Sequence, residues 1–419
     1  MKLSILYNVF ARDFKKQRKR MVLTLVAILW GTMSIMLLLA YGEGMKQQFG
    51  KNLNGLGEGI IIMWPGQTSI AFQGYGKGRR LHFLPEDVEY IKGRMPEFEK
   101  VAAEYIRWGA PVRYKDNLLS ERINGLYPEY KDLRNFIPEM GGRMINDLDM
   151  QYRRRVAFLG NETKDRLFGA DTPIEKVVGE TIYIYSTPYT VVGVMQPKMQ
   201  MSSYQGQDSD VIAIPATTFH SVLGDPYLDN IILKPDPKYS FKEIEPRLFE
   251  VMGAKYKFDP KDDRALSTWD IIEERKITLD IFGAIQIFLG VVGGLTLIIA
   301  AVGVANIMYV SIRERTREIG IKMAIGARRI YILMQFIVEA LGITFFGGFL
   351  GINLAFLLTE LFKMVPIESD VLDFMGRPTV SLEIGITVTV ILGILGLFSG
   401  LFPALKAASI NPNEALRYE

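Results

Sequence analysis

Side chains that make or break covalent bonds are sparse in this sequence. Its 419 residues hold two histidines, His82 and His220, and no cysteine. The spacings G-x-S-x-G and H-E-x-x-H, which present a nucleophilic serine or a zinc-binding histidine pair, are absent. The glycine-rich Gln73–Gly78 lacks the G-x-x-x-x-G-K-[ST] spacing that wraps a phosphate, so it reads as a flexible loop. No catalytic, cofactor-binding or metal-ligating residue is therefore expected. The sequence offers charge recognition instead. Arg313, Glu314, Arg315, Arg317 and Glu318 crowd one short stretch, followed by Ile319, Gly320, Ile321, Met323 and Ile325, with a stop at Gly326. The apolar residues are expected to mark one face of a short helix. Glu314 and Glu318 gain little beside anionic lipid, so a protein groove suits this helix better than headgroups do.

That helix is positioned by what flanks it. Met21–Tyr41, Ile281–Val310, Tyr331–Phe362 and Leu382–Leu405 are apolar runs. Each is long enough, at ~1.5 Å per residue, to cross a ~30 Å hydrocarbon core. Residues 42–280 have ordinary mixed composition. The fold class is membrane α-helical, four transmembrane helices with a large α+β extracytoplasmic domain inserted between the first and second. Lys2, Arg12, Lys15, Lys16, Arg18, Lys19 and Arg20 precede span one, and Arg313, Arg315, Arg317, Lys322, Arg328 and Arg329 lie between spans two and three. The positive-inside rule places both termini and residues 311–330 in the cytosol, with residues 42–280 and the short loop 363–381 outside. The net charge of +3 carries no message about nucleic acid.

Residues 1–20 place Leu3, Leu6, Tyr7, Phe10 and Phe14 on one face of an interfacial helix. The basic region and apolar run are too long for a cleaved signal, so span one is read as retained. Outside, the sequence predicts a strand at 60–64, a helix from Pro85 to about Met95, and mixed strands and turns over 101–160. A short helix over 160–168 follows, then a hairpin of 181–185 and 189–195, and strands at 211–215 and 230–234. The external strands are expected to be short and mostly non-alternating. A charged helix over 268–280 should run unbroken into span two. Gly290 with Gly294, Gly347 with Gly351, and Gly396 with Gly400 have the G-x-x-x-G spacing that lets helix backbones approach. Gln335 and Glu339 fall one turn apart in span three, where a carboxylate should face protein, snorkel or be protonated.

The stretch Asn306–Ala327 resembles the FtsX-like permease domain of ABC transporters, in the MacB-type branch. It carries Asn306-Ile307-Met308, Val310-Ser311, Glu314-Arg315-Thr316-Arg317-Glu318-Ile319-Gly320-Ile321 and Ala324-Ile325-Gly326-Ala327. Gln335-Phe336, Glu339-Ala340 and Gly347-Gly348 fit its span three. Asn411, Pro412, Glu414 and Leu416 fit its C-terminal motif and belong to a second candidate coupling segment, 409–419, within a cytoplasmic tail over 406–419. The external part looks like the MacB periplasmic core through Leu56-Gly57, Pro65-Gly66, Asp87-Val88, Leu159-Gly160, Leu167-Phe168-Gly169, Val178-Gly179, Val192-Gly193-Val194 and Ile214-Pro215, most weakly over 101–155. The resemblance implies a middle subdomain at about 110–215.

It also implies a dimer of permease chains, identical or paralogous, over two ABC ATPase subunits. ATP and Mg would reside in the ATPase, and an adaptor and outer-membrane channel would follow in a two-membrane cell. MacB itself carries its ATPase ahead of the first span. This chain begins about twenty residues before that span, so the ATPase is expected to be a separate protein. The implied function is mechanical: hydrolysis moves residues 313–327 and the tail, and the spans move an external domain that exports or extracts a substrate. The alternative is an ATP-driven signal relay acting on a cell-envelope partner without transport. A membrane-anchored enzyme is the third reading and the least supported, given the residues above.

Overall fold

The computed structural model describes residues 18–200, 202–364 and 376–411. The chain divides into two units, one of residues up to Phe49 and from Leu279 onward, the other Gly50–Thr278. The expected helix over 1–20 falls almost wholly outside the described residues.

Helix α1 (Arg18–Leu53) opens the membrane unit. The inserted domain then carries strands β1 (Ile61–Pro65), β2 (Phe98–Tyr114), β3 (Asn117–Leu126), β4 (Val156–Leu159), β5 (Thr181–Ile184), β6 (Thr187–Val194), β7 (Val211–Pro215), β8 (Asn230–Pro235) and β9 (Leu266–Asp270). Its helices are α2 (Glu86–Arg94), α3 (Tyr130–Leu133), α4 (Asp147–Gln151), α5 (Asn161–Phe168), α6 (Ala216–Leu223) and α7 (Phe241–Tyr256). The remaining helices are α8 (Ile271–Glu314), α9 (Thr316–Ala324), α10 (Arg329–Met364) and α11 (Leu382–Ala408). Four of these, α1, α8, α10 and α11, are long and apolar enough to cross a membrane. The inserted domain is α+β and lies between the first and second of them.

The strands pair in the order β3-β7-β4-β6-β5-β2-β8-β1-β9, and β2 also pairs with β3, so six strands close a ring. The junction is β2. Its 17 residues exceed the short strands expected, because a bulge between Arg107 and Ala110, with Gly109 at φ +67°, bends it. Before the bulge β2 pairs with β8, and beyond it with β5. Non-alternating strands are observed where both faces are covered. In β1, Ile61 and Met63 enter one core while Ile62 enters the other. The β5–β6 turn is Tyr185-Ser186, with Tyr185 at φ +53°, and Pro188 lies inside β6 opposite Tyr183. Helix α7 is not among the elements the sequence predicts. It forms despite Pro246, started by a capping box of Ser240 and Glu243.

Helix α8 runs 44 residues without a break, ~66 Å of helix. Close approaches at glycines define the helix seams. A Cβ on Gly347 would sit 3.0 Å from Ile28, and one on Gly351 2.7 Å from the Leu29 carbonyl, so α10 lies against α1. Gly396 and Gly400 face Thr344 and Ala340, seating α11 on α10. The third pair differs from expectation. Gly290 meets Leu39 at an ordinary 3.5 Å and Gly294 faces open space, whereas Gly293 is the close approach to α1, 2.6 Å from Ile35. A helix presents one residue per ~100°, so a shift of one position moves a glycine off the seam. At the far end of α1, a Cβ on Gly44 would lie 2.0 Å from the Arg377 carbonyl. The Thr379 amide donates to the Ala40 carbonyl at 2.8 Å.

Candidate functional site

The charged stretch folds as a break and a second helix. Helix α8 ends at Glu314, and Arg315, at φ −107° and ψ 9°, separates it from α9. The Arg315 amide is shared between the Ser311 and Ile312 carbonyls, and the Thr316 hydroxyl donates to Ile312 and Arg313 carbonyls. The helix end is thereby satisfied without a glycine. At the other end the Ile325 and Gly326 amides return to the last turn, and Gly326 takes φ +95°. That left-handed position is the stop expected of a glycine there.

The apolar residues of α9 do not share a face. Ile319 is 3% exposed and packs with Met323 into the core of the membrane unit. Ile321 is 46% and Ile325 80% exposed. Residues two apart in a helix lie ~200° apart, so a run of alternate isoleucines splits into two i, i+4 pairs on opposite sides. The expectation of a single stripe is corrected. Arg315, Ile319, Gly320 and Met323 face inward, whereas Arg313, Glu314, Arg317, Ile321, Ile325 and Gly326 are exposed. Glu318 is half-buried and pairs with Lys322 one turn on, at 3.0 Å.

The inward side is tied to α10. Arg315 Nη1 lies 3.5 Å from Glu339 Oε2, with both side chains mostly shielded, and Lys322 donates to Gln335 Oε1 at 3.5 Å. Glu339 therefore faces protein and a cation, one of the outcomes expected for an intramembrane acid. From α11, Lys406 Nζ lies over the Tyr309 ring of α8 at 5.5 Å. Asn411, three residues beyond the end of α11, is exposed. Pro412, Glu414 and Leu416 lie outside the described residues.

A second constellation, in the inserted domain, went unread in the sequence. Arg134 and Asp208 form a two-pronged ion pair at 2.8 and 3.0 Å, with side chains 1% and 2% exposed. Lys198 adds a second cation 2.8 Å from Asp208. Arg134 also donates to the Tyr204 hydroxyl, which donates to Glu104. Gln205, Asn230 and Asn124 donate to the same Glu104 carboxylate. Burial alone would raise the Asp208 carboxyl, but Arg134, Lys198 and Arg122 hold it below the usual range. Burial pulls Lys198 down despite Asp208. The members come from positions 104 to 230, so only the ring of strands brings them together. Tyr204 touches Trp64 edge-on, and Trp64 stacks on Trp269. A Cβ on Gly55 would meet the Met199 carbonyl at 2.0 Å. The network thus pins the stretch carrying Lys198, Tyr204 and Asp208 beside the first and last residues of the domain.

Residues 21–249 match the family described as the MacB-like periplasmic core domain, and residues 290–412 the FtsX-like permease C-terminal. Among curated relatives, the macrolide export ATP-binding/permease protein MacB of Chlorobium luteolum is 31% identical over 96% of this chain and 58% of its own length. The MacB of Bdellovibrio bacteriovorus is 28% identical over 95% of this chain and 59% of its own. The chain thus spans a little under three-fifths of these relatives' length. Two solved structures are also similar. The periplasmic region of MacB from Actinobacillus actinomycetemcomitans has a TM-score of 0.42 and 15% identity, covering 54% of this chain and 96% of that one. The extracellular domain of the noncanonic ABC-type transporter YknZ from Gram-positive bacteria has a TM-score of 0.41 and 16% identity, covering 50% and 100%.

Proposed function

Because the chain belongs to the family of MacB-like, FtsX-like permeases, membrane components of ABC transporters, we propose that it couples ATP hydrolysis in an ATPase to movement of its extracytoplasmic domain. The observation that carries this reading is the two-sided α9. Its inner side is bonded into the spans, and its outer side leaves Ile321, one turn after the exposed Arg317, and Ile325 with no covering among the described residues. Isolated charges belong in water, but exposed isoleucines flanked by them suit a partly apolar groove on another protein. The ATPase holds ATP and Mg. Asn411, Pro412, Glu414 and Leu416 form its second contact. Both termini and α9 are cytosolic, in the inner membrane, and two permease chains stand over two ATPase subunits. Export or extraction of a substrate follows by mechanical transmission, with an adaptor and outer-membrane channel in a two-membrane cell; the relatives' names, which read macrolide export, support the export side.

The test is affinity purification from the native membrane with identification of every co-purifying protein. A stoichiometric ATPase is expected. Reversing Glu314 and Glu318 together should abolish substrate-stimulated hydrolysis by the assembled complex; unchanged stimulation would refute the coupling role.

A further inference from the structure

We propose that Arg315 and Glu339 are positioning residues that lock α9 to α10, so that a push on α9 moves span three, and through it span one, as one body. The inference rests on the coupling role proposed for α9. Arg315 occupies the single-residue break between α8 and α9, where a bend would otherwise let α9 swing freely. From that point its guanidinium reaches Glu339, ten residues into α10 and so ~15 Å along it. A carboxylate at that depth is costly in an apolar environment. An apolar pair of similar volume would hold two helices together at least as well, so a shielded ion pair is better understood as fixing register.

Its neighbours repeat the arrangement. Lys322, seven residues beyond Arg315 and on the same side of the helix, bonds to Gln335, one turn before Glu339. Ile319 and Met323 lie between the two ties, in one core with Ile332 and Phe336 of α10. Two polar ties with an apolar contact between them prevent both sliding and rotation of α9 on α10. Further along α10, Gly347 and Gly351 place its backbone against Ile28, Leu29 and Thr32 of α1. Helix α8 already continues covalently into α9. The Arg315–Glu339 tie adds a second route, to α1, so both helices that lead into the inserted domain respond to one contact on α9.

The experiment uses the full chain with its co-purified ATPase in nanodiscs. The absence of cysteine makes Ala324→Cys on α9 and Met334→Cys on α10, both exposed, a unique pair for spin-label distances. With Arg315 and Glu339 intact, the distance should be narrow and unchanged between the nucleotide-free and ATP–vanadate states. In Glu339→Gln and Arg315→Met, the ATPase should still co-purify, but ATP–vanadate should shift and broaden the distribution as α9 moves without α10. The exchanged pair Arg315→Glu with Glu339→Arg should restore the narrow distance. Should Glu339→Gln keep the unshifted distribution while the ATPase is bound and turning over, the lock is refuted and the coupling role stands. Should no ATPase accompany even the unsubstituted pair, the coupling role falls and the lock with it.

Discussion

Replacing Arg134 by methionine removes the cation at the centre of the inserted domain's buried network while keeping most of the side chain's length. Breaking a buried ion pair by deleting one partner costs roughly 3–5 kcal/mol. Here Asp208 keeps Lys198 at 2.8 Å, so the lower end, about 3 kcal/mol, is expected. Tyr204 also loses its donor, although its own bond to Glu104 remains. For a domain of this size, each kcal/mol shifts the midpoint by about 2–4 °C, giving a fall of roughly 6–12 °C. Tryptophan fluorescence of the full chain in detergent reads it directly, because Trp64, Trp108 and Trp269 lie in the inserted domain and Trp64 touches Tyr204. Lys242→Met is the control, since Lys242 and Glu273 pair at the exposed surface, where water and salt screen the attraction. If Arg134→Met and Lys242→Met melt within about 2 °C of each other, the network does not hold the domain as argued.

Acid should act on the same network. Asp208 is depressed in the folded state, so its stabilisation is present above the ordinary carboxyl range and is lost as pH falls through the lowered value. Amide exchange at Tyr204, Gln205 and Asp208 should accelerate there before the ring strands exchange; simultaneous exchange throughout would count against it. Gly351→Leu should destabilise the seam between α1 and α10 by about 1–3 kcal/mol through overpacking, whereas Gly294→Ala, with open space around it, should leave detergent stability unchanged. Ile321→Asp with Ile325→Asp should remove the ATPase from the purified complex without lowering its yield in the membrane. Ile319→Asp, at a buried position, should lower the yield itself, and equal behaviour of the two would contradict the two-sided reading of α9. Single cysteines introduced at Arg328 and at Tyr75 should be labelled from opposite sides of the membrane by an impermeant maleimide. Labelling from one side would overturn the proposed topology.

Elements whose cause is local are legible in the order of the residues. Runs of twenty or more apolar residues have few soluble solutions, so the four long helices were legible from length and composition. Gly326 announced the end of α9, because a left-handed position admits few other residues. The order of family motifs located the permease and the periplasmic core without any knowledge of packing. Tertiary structure decided which side of each helix matters. Gly293 rather than Gly294 meets α1, and Ile319 with Met323 is buried while Ile321 with Ile325 is not, because the helical repeat separates neighbours by angles that composition does not encode. Structure alone also joined Arg315 to Glu339 and Arg134 to Asp208. An ion pair depends on where two distant backbones place their side chains, and neither charge, read in its own stretch of chain, carries a signal of the other.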